Sequence, residues 1–229
     1  MFSKTFAAII LIVSALSVSA VSAPTSPCAT VHIIAARGSE EAPGPGVIGA
    51  LVKQVQQQSH QTVSSAAVKY PADLTNYPKS VDERVAATKA MSKKQTSKCP
   101  HQNIVLVGYS QVTHVFGDVL AGGGGIPILG PETAPIAANI ADRVYAVIQM
   151  GDPRHVAGEP FDVGTSKRNG IFPQGADQQY GSTLQPRIQS YCDTGDPACD
   201  LGNDLIVHET YLDRYQNQAA QFILKQVGG

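Results

Sequence analysis

Short apolar runs alternate with segments of helical period along most of the chain. The runs predict strands at residues 30–36, 62–70, 103–108, 144–150 and 187–191. Apolar residues that recur with helical period predict helices near residues 47–55, 81–91, 111–120 and 211–223. Apolar strands separated by helices indicate an α/β fold in which helices cover both faces of a parallel sheet. Because no repeat or linker interrupts the pattern, we expect one domain over residues 28–229.

The first twenty residues have a different pattern, typical of a signal peptide. A single early charge, Lys4, precedes an uncharged apolar stretch that ends in small residues, with Ala20 or Ala23 as the last residue before cleavage. A membrane anchor is the alternative, but the strongly apolar part is shorter than the roughly 20 residues that a membrane span needs. We therefore expect a secreted protein, with no membrane association after cleavage of residues 1–20.

Charge narrows the classes of partner. The chain has 17 Lys and Arg against 18 Asp and Glu, a formal net charge of −1. Binding to nucleic acid through phosphate charge needs a clustered basic excess, so we expect no nucleic-acid partner. Charged residues make up 15% of the chain, below the roughly 25% of an average soluble domain, and this weakly charged composition suits a secreted protein, which we expect to be a monomer.

The four cysteines are Cys28, Cys99, Cys192 and Cys199. An even number in an exported chain predicts two disulfides, for which three pairings exist. The pair Cys192 and Cys199 would close a short loop. A zinc site is the alternative, but no two cysteines or histidines have the ligand spacing of such sites, so we expect no metal and no cofactor.

A candidate nucleophile lies where the strand at 103–108 meets the following helix. Ser110 occupies the position of a nucleophile elbow, a sharp turn that holds a serine hydroxyl above the sheet. Small residues are expected two positions before and two positions after the serine. Gly108 meets the first requirement, whereas Val112 does not, and we expect it to overpack the elbow at a cost of ~1–3 kcal/mol.

Partners for Ser110 follow in the chain order of an acid and then a histidine. Asp196, in the loop between Cys192 and Cys199, is the candidate acid, Asp193 is interpreted as a turn residue, and His208 is the candidate base. The rival pair is Asp152 and His155, which would lie one strand too early. His114 is expected on the helix surface, one turn below Ser110.

An oxyanion formed at Ser110 would need hydrogen-bond donors. The backbone N–H of Gln111, directly after the serine, is one candidate. Ser39, in the turn after the first strand, could supply its N–H and its hydroxyl. The alternative interpretation of Ser39 as an ordinary turn residue carries equal weight at this point.

Together these residues resemble the fungal cutinase and acetylxylan esterase family. The similarity rests on Ala35-Ala-Arg-Gly-Ser39-Glu, Val105-Leu-Val-Gly-Tyr-Ser110-Gln, Met150-Gly-Asp-Pro153 and Tyr191-Cys-Asp-Thr-Gly-Asp196-Pro-x-Cys199 followed by His208. It implies a compact three-layer α/β/α hydrolase with a five-stranded parallel sheet and no lid. It also implies a Ser110–Asp196–His208 triad, an oxyanion hole from Ser39 and Gln111, and disulfides Cys28–Cys99 and Cys192–Cys199. Members usually have glycine where this chain has Val112.

The leading hypothesis is a secreted serine esterase that hydrolyses cutin-like aliphatic esters through an acyl-enzyme at Ser110. Apolar residues before His208, with Leu205 and Val207 as a substrate rim, favour aliphatic acyl chains. One alternative is an acetylxylan esterase, which removes acetyl groups from xylan. The other is an interaction protein with the hydrolase fold, catalytically impaired because Val112 replaces the elbow glycine.

Overall fold

The computed structural model describes residues 28–228. The predicted signal peptide, with its cleavage site at Ala20 or Ala23, lies outside the described residues. Within residues 28–228, no helix is both long enough and apolar enough to cross a membrane.

All strands of the central sheet are parallel, and each predicted strand is present. The sheet has six strands in the order β2-β1-β3-β4-β6-β5, namely β1 (Val31–Ala36), β2 (Val63–Ala67), β3 (Asn103–Tyr109), β4 (Val144–Met150), β5 (Asp162–Val163) and β6 (Ile188–Tyr191). The expected count of five strands is wrong by one. The additional strand, β5, has two residues inside a Gly- and Pro-rich segment, too few to show an alternating pattern in the sequence.

Six α-helices connect or flank the strands. They are α1 (Gly49–Gln58), α2 (Tyr77–Lys98), α3 (Gln111–Ala121), α4 (Ala138–Ala141), α5 (Leu205–Glu209) and α6 (Tyr211–Val227). The periodic segments predicted α1, α2, α3 and α6. The helices α4 and α5 have four and five residues, so neither is long enough to show a helical period.

Alternating side chains of the strands separate the core into two layers. Ile33 and Val105 pack with α1 and α6 on one face of the sheet. Ile34 and Leu106, their neighbours along the same strands, pack with α2 and α3 on the other face. This arrangement follows from the strand period of two, which directs successive side chains to opposite faces. The predicted three-layer α/β/α architecture is therefore confirmed.

The parallel arrangement brings the carboxyl ends of all strands to one edge of the sheet. The residues that follow β1, β3, β4 and β6 begin there with Arg37, Ser110, Gly151 and Cys192. In open α/β sheets this edge is where ligands bind, because the loops that leave the strands converge on it. The candidate residues of the sequence, although distant in the chain, therefore meet at this edge.

Two disulfides join the cysteines in the expected pairs. Cys28 is bonded to Cys99, 71 residues away, and so ties the chain just before β1 to the end of α2. Cys192 is bonded to Cys199 and closes the loop that follows β6. The predicted pairing is confirmed.

We expect the Cys28–Cys99 bond to make the larger contribution to stability. Its loss in a Cys28→Ser, Cys99→Ser variant should lower the free energy of unfolding by about 4 kcal/mol, because the bond closes a long loop in the unfolded chain. The matched Cys192→Ser, Cys199→Ser variant opens a short loop and should lose about 2–3 kcal/mol. Urea unfolding of both variants measures the difference, and a smaller loss in the first variant would contradict this explanation.

Candidate active site

Ser110 occupies a strained turn between β3 and α3. Its backbone angles are φ 58° and ψ −130°, in a region that residues other than glycine rarely adopt. The turn is held by the Ser110 N–H, which donates to the Met150 carbonyl at 2.8 Å, and by the Thr113 N–H, which donates to the Ser110 carbonyl at 2.9 Å. Ser110 thus has the geometry of a nucleophile elbow, which presents the hydroxyl at the edge of the sheet.

His208 connects Ser110 to Asp196. Its Nε2 lies 2.9 Å from the Ser110 Oγ, and its Nδ1 lies 2.7 Å from the Asp196 Oδ2. His208 belongs to α5, whose first turn is capped by the Asp204 carboxylate through the N–H groups of Ile206 and Val207. The imidazole also needs the absence of a side chain at Gly151, where a Cβ would approach its Cε1 to 2.8 Å.

The Asp196 carboxylate is fully buried and has hydrogen-bond donors at both oxygens. Oδ1 accepts from the N–H groups of Ala198 at 2.6 Å and Cys199 at 2.9 Å, and Oδ2 accepts from the Tyr211 hydroxyl at 2.8 Å as well as from His208. Burial alone would raise the pKa of Asp196, but these hydrogen bonds outweigh it and hold the pKa below its usual value. The carboxylate is therefore ionised at neutral pH and can orient the imidazole.

Asp193 anchors the disulfide loop to the helix that follows it. Its Oδ2 accepts from Arg214 Nε at 2.9 Å, and its Oδ1 accepts from the Tyr215 hydroxyl at 2.9 Å and the Thr165 N–H at 3.0 Å. Arg214 also donates from Nη2 to the Val207 carbonyl at 2.8 Å, directly before His208. Asp193 does begin a turn, because its carbonyl accepts from the Asp196 N–H at 3.2 Å. Its side chain has a second role that the sequence did not indicate, since it links the loop of the acid to the helix of the base.

The rival pair does not form. Asp152 is buried and accepts from the Thr113 hydroxyl and from Gln149 Nε2, each at 3.0 Å, whereas the His155 ring is nearest to Asp162, at 3.6 Å. Among the described residues, no hydrogen bond joins the side chains of Asp152 and His155. Asp152 instead holds the first turn of α3 against β4.

His114 is buried, not exposed as expected. It lies 3.0 Å from the Tyr77 hydroxyl and 3.2 Å from Asp118. The expectation was wrong because α3 has no solvent face. The helix α2 and the segment around Phe172 cover the side of α3 that was expected to face solvent.

Ser39 and Gln111 lie side by side, as an oxyanion hole requires. The Ser39 hydroxyl donates to the Gln111 Oε1 at 2.7 Å. The backbone N–H groups of both residues have no acceptor within residues 28–228. The turn of Ser39 is braced by Glu41, whose carboxylate accepts from the N–H groups of Gly38 and Val47. The N–H groups of Ser39 and Gln111 and the Ser39 hydroxyl are therefore the candidate oxyanion donors, with Gln111 directly after Ser110 in the chain.

One charged residue next to Gln111 was not identified from the sequence. Arg84, on α2, donates from Nη2 to the same Gln111 Oε1 at 2.8 Å. Its position on a helix more than twenty residues before Ser110 gave no reason to place it near the site. A polar residue on the inner side of an amphipathic helix is the signal that could have identified it.

The residues of the expected substrate rim differ in exposure. Leu205 is 63% exposed and its neighbour Ile206 is 73% exposed. Val207 is half-buried and points towards the backbone of Gly195 in the loop of the acid. The exposed apolar surface of α5, in the turn before His208, is therefore formed by Leu205 and Ile206, while Val207 lies against the loop of the acid.

Val112 fits the elbow instead of distorting it. The side chain is fully buried among apolar residues of β3 and α3. A Cβ built on Gly108 would lie 2.4 Å from the Val112 Cγ1, so the valine methyl fills the space left by the glycine. The turn at Ser110 and its hydrogen bond to His208 are both formed. The valine is therefore accommodated without loss of this turn, and the alternative of an impaired interaction protein is not supported. The energetic cost expected from the sequence is measured by the variants described next.

Replacing Val112 by the usual glycine should therefore destabilise the protein. The variant Val112→Gly loses a buried side chain and places glycine in a helix, for an expected loss of about 2–4 kcal/mol in the free energy of unfolding. Val112→Ala, which keeps a Cβ, serves as control and should lose less. Chemical denaturation measures both, and a Val112→Gly variant as stable as the parent would show that the valine overpacks the elbow after all.

Within residues 28–228, no three His, Cys, Asp or Glu side chains are arranged to hold a metal ion. The polar groups at the site are instead paired with one another, as the chain from Ser110 through His208 to Asp196 shows. The site can therefore deprotonate a serine hydroxyl and stabilise negative charge on an attacked carbonyl oxygen.

Comparison with known proteins identifies the family. The family profile described as Cutinase matches residues 27–227. An acetylxylan esterase of Hypocrea jecorina is 36% identical over 87% of this chain and 68% of its own length, and Cutinase 11 of Verticillium dahliae is 33% identical over 94% and 75%. The solved catalytic core domain of the acetyl xylan esterase from Trichoderma reesei superposes with a TM-score of 0.81 at 36% identity, covering 87% of this chain and all of that domain. The chain is therefore a carboxylic ester hydrolase that belongs to the cutinase family.

Proposed function

We propose that this chain cleaves esters through an acyl-enzyme formed on Ser110, with His208 as general base and Asp196 as the group that orients it. The observation that carries the proposal is the continuous pair of hydrogen bonds from the Ser110 Oγ to His208 and from His208 to Asp196, at 2.9 and 2.7 Å. The pattern is that of a serine hydrolase, in which geometry and not sequence position identifies the roles.

The first half of the reaction forms the acyl-enzyme. The Ser110 Oγ attacks the ester carbonyl carbon as His208 Nε2 takes its proton, and the carbonyl oxygen becomes an oxyanion facing Ser39 and Gln111. When the tetrahedral intermediate collapses, the bond to the alkoxy oxygen breaks and His208 returns the proton to the departing alcohol. The acyl group is left on Ser110.

The second half releases the acid. A water molecule attacks the acyl carbon while His208 Nε2 takes one of its protons, and the same donors stabilise the second oxyanion. Collapse frees the carboxylic acid and restores the Ser110 hydroxyl with the proton held by His208. Asp196 keeps Nδ1 protonated throughout, which leaves Nε2 free to act as the base.

We propose esters of short acyl groups, acetyl above all, as the preferred substrates. The acetylxylan esterase named above is more similar to this chain than Cutinase 11 is, at 36% against 33% identity. The solved acetyl xylan esterase core also superposes with a TM-score of 0.81 at 36% identity.

Aliphatic esters of the cutin type are the second candidate. The observation that favours them is the exposed apolar pair Leu205 and Ile206 on α5, of which Leu205 lies one turn before His208. An acyl chain that left the site along α5 would cover these side chains and bury apolar surface. The two candidate substrates differ in the source of their binding energy, because only an aliphatic acyl chain would contact Leu205 and Ile206. Substitution of these two residues can therefore distinguish them.

Export from the cell is part of the proposal. The two disulfides support it, because such bonds persist in oxidising compartments and are rare in the cytosol. A signal peptide at residues 1–20 would provide the route. A monomer that acts on a polymeric or small ester remains our expectation.

Substitution of the nucleophile tests the chemistry. Ser110→Ala should abolish hydrolysis of p-nitrophenyl acetate, with a loss of at least 10⁴-fold in kcat, because no acyl-enzyme can form. The matched control, Ser65→Ala, removes an exposed hydroxyl from the edge strand β2 and should leave the rate unchanged. Hydrolysis by Ser110→Ala at the parental rate would refute the proposed mechanism.

The acyl-chain profile tests the substrate class. We expect kcat/KM to be highest for the acetyl ester in a series of p-nitrophenyl acetate, butyrate and octanoate, and we expect acetate release from acetylated xylan. A variant with Leu205→Gln and Ile206→Gln should retain this activity and lose octanoate hydrolysis by about 3–10-fold, the scale of a few apolar contacts. A preference of the parent for octanoate would favour the aliphatic candidate instead.

A further inference from the structure

Arg84 is a buried cation next to the oxyanion hole. Its side chain is fully buried on α2, and no carboxylate within residues 28–228 forms an ion pair with it. Its Nε and Nη1 atoms have no hydrogen-bond partner. Burial lowers the pKa of Arg84 to about 10, so the guanidinium remains charged at neutral pH.

The surroundings of Arg84 do not neutralise its charge. The guanidinium stacks on the Tyr70 ring at 3.6 Å from the centroid, and Arg37 lies over the same ring at 4.4 Å. Burial raises the pKa of Tyr70 to about 12, so this phenol stays neutral, and its hydroxyl donates to the Arg37 carbonyl. Burial also raises the pKa of Tyr77, the other nearby phenol. The positive charge is therefore left uncompensated.

Burying the charged Arg84 side chain without a counterion lowers the stability of the fold. A buried charge without a paired counterion carries a desolvation penalty, and apolar side chains of similar volume often make a protein as stable or more stable. The contact with the Tyr70 ring offsets part of this cost. Stability alone thus gives no reason for an arginine at this position in place of methionine or leucine.

The contacts of Arg84 lead directly to the proposed oxyanion donors. Gln111 Oε1 accepts from Arg84 Nη2 at 2.8 Å and from the Ser39 hydroxyl at 2.7 Å. While the Ser39 hydrogen is engaged with Gln111, it is not directed at a substrate. To donate to an oxyanion, the hydroxyl must leave Gln111 Oε1, and this buried oxygen would lose its partner if Arg84 did not also donate to it.

We propose that Arg84 is a positioning residue of the oxyanion hole. It holds the Gln111 side chain in place, so that the Ser39 hydroxyl can turn to the oxyanion. The positive charge of Arg84 also favours the negatively charged oxygen. In the resting state Gln111 Oε1 has two donors. When the tetrahedral intermediate forms, Ser39 donates to the oxyanion and Arg84 alone keeps Gln111 satisfied. Because the cation has no counterion, its field also acts on the charge that develops at the carbonyl oxygen.

The inference rests on the proposed function and makes a separate claim about the transition state. A group that acts on the oxyanion changes kcat, because the oxyanion exists only after attack, and leaves ground-state binding unchanged. Arg84→Met should therefore lower kcat on p-nitrophenyl acetate by about 10–100-fold, less than the 10²–10³ of a direct donor. KM should change by less than threefold, and the urea midpoint should stay the same or rise.

Four further variants exclude a merely structural role. Arg84→Lys keeps the charge on a shorter side chain and should restore part of the lost kcat. The double variant Ser39→Ala, Arg84→Met should be little slower than Ser39→Ala alone, because both changes interrupt the same path. Arg143→Met is the matched control, since this half-buried arginine donates to the Gln102 carbonyl at the opposite end of the sheet, and it should leave kcat unchanged.

The outcomes separate this inference from the proposed function. If Ser110→Ala is inactive and Arg84→Met keeps kcat within threefold of the parent, Arg84 is structural and the inference fails alone. A kcat loss that Arg84→Lys does not relieve, or that adds in full to the loss of Ser39→Ala, also overturns it. Should Arg84→Met not fold, Arg84→Gln, a neutral side chain with an N–H donor, takes its place under the same criteria. If Ser110→Ala remains active, the proposed function fails first.

Discussion

The need to satisfy one buried carboxylate organises residues 192–227 of the chain. Asp196 lies out of contact with water, where an unpaired charge would cost several kcal/mol. Its hydrogen-bond donors come from three separate pieces of structure, which are the disulfide loop itself, the short helix α5 through His208, and the long helix α6 through Tyr211. Any displacement of these pieces would leave the charge unpaired, so the carboxylate fixes the loop and both helices in one arrangement. Because His208 is one of these donors, the same requirement also fixes the position of its imidazole ring.

The elbow at Ser110 shows a second constraint, in which two residues share one volume. Space between β3 and α3 is limited, and the Val112 methyl occupies the place that a side chain at Gly108 would need. A glycine at the first position thus permits a valine at the second, because close packing depends on the total volume and not on each residue alone. The small-residue rule for elbows describes this total, and the chain satisfies it in a different way from a pair of glycines.

Most of the fold, and the three residues Ser110, Asp196 and His208 of the candidate site, could be predicted from the sequence. The strands have strong apolar runs, and the chain order of Ser110, Asp196 and His208, with a cysteine on either side of the acid, is specific enough to be recognised. The missed features depend on contacts between distant segments. Arg84 reaches Gln111 from another helix, Asp193 binds Arg214 twenty-one residues later, and His114 is covered by a loop. Periodicity and spacing describe residues that are close in the sequence. They therefore cannot predict contacts between distant segments, which are seen only in the folded chain.

The two-residue strand β5 affects how copies of the molecule meet one another. A parallel sheet has two open edges whose unpaired N–H and C=O groups invite another strand, and long flat edges favour aggregation. Here β5 closes one edge with only Asp162 and Val163, and the chain turns away at Gly164 directly afterwards. Few unpaired backbone N–H and C=O groups are therefore left at this edge for a strand of a second molecule to bind. The β5 edge therefore offers a second copy of the chain only two residues for strand pairing.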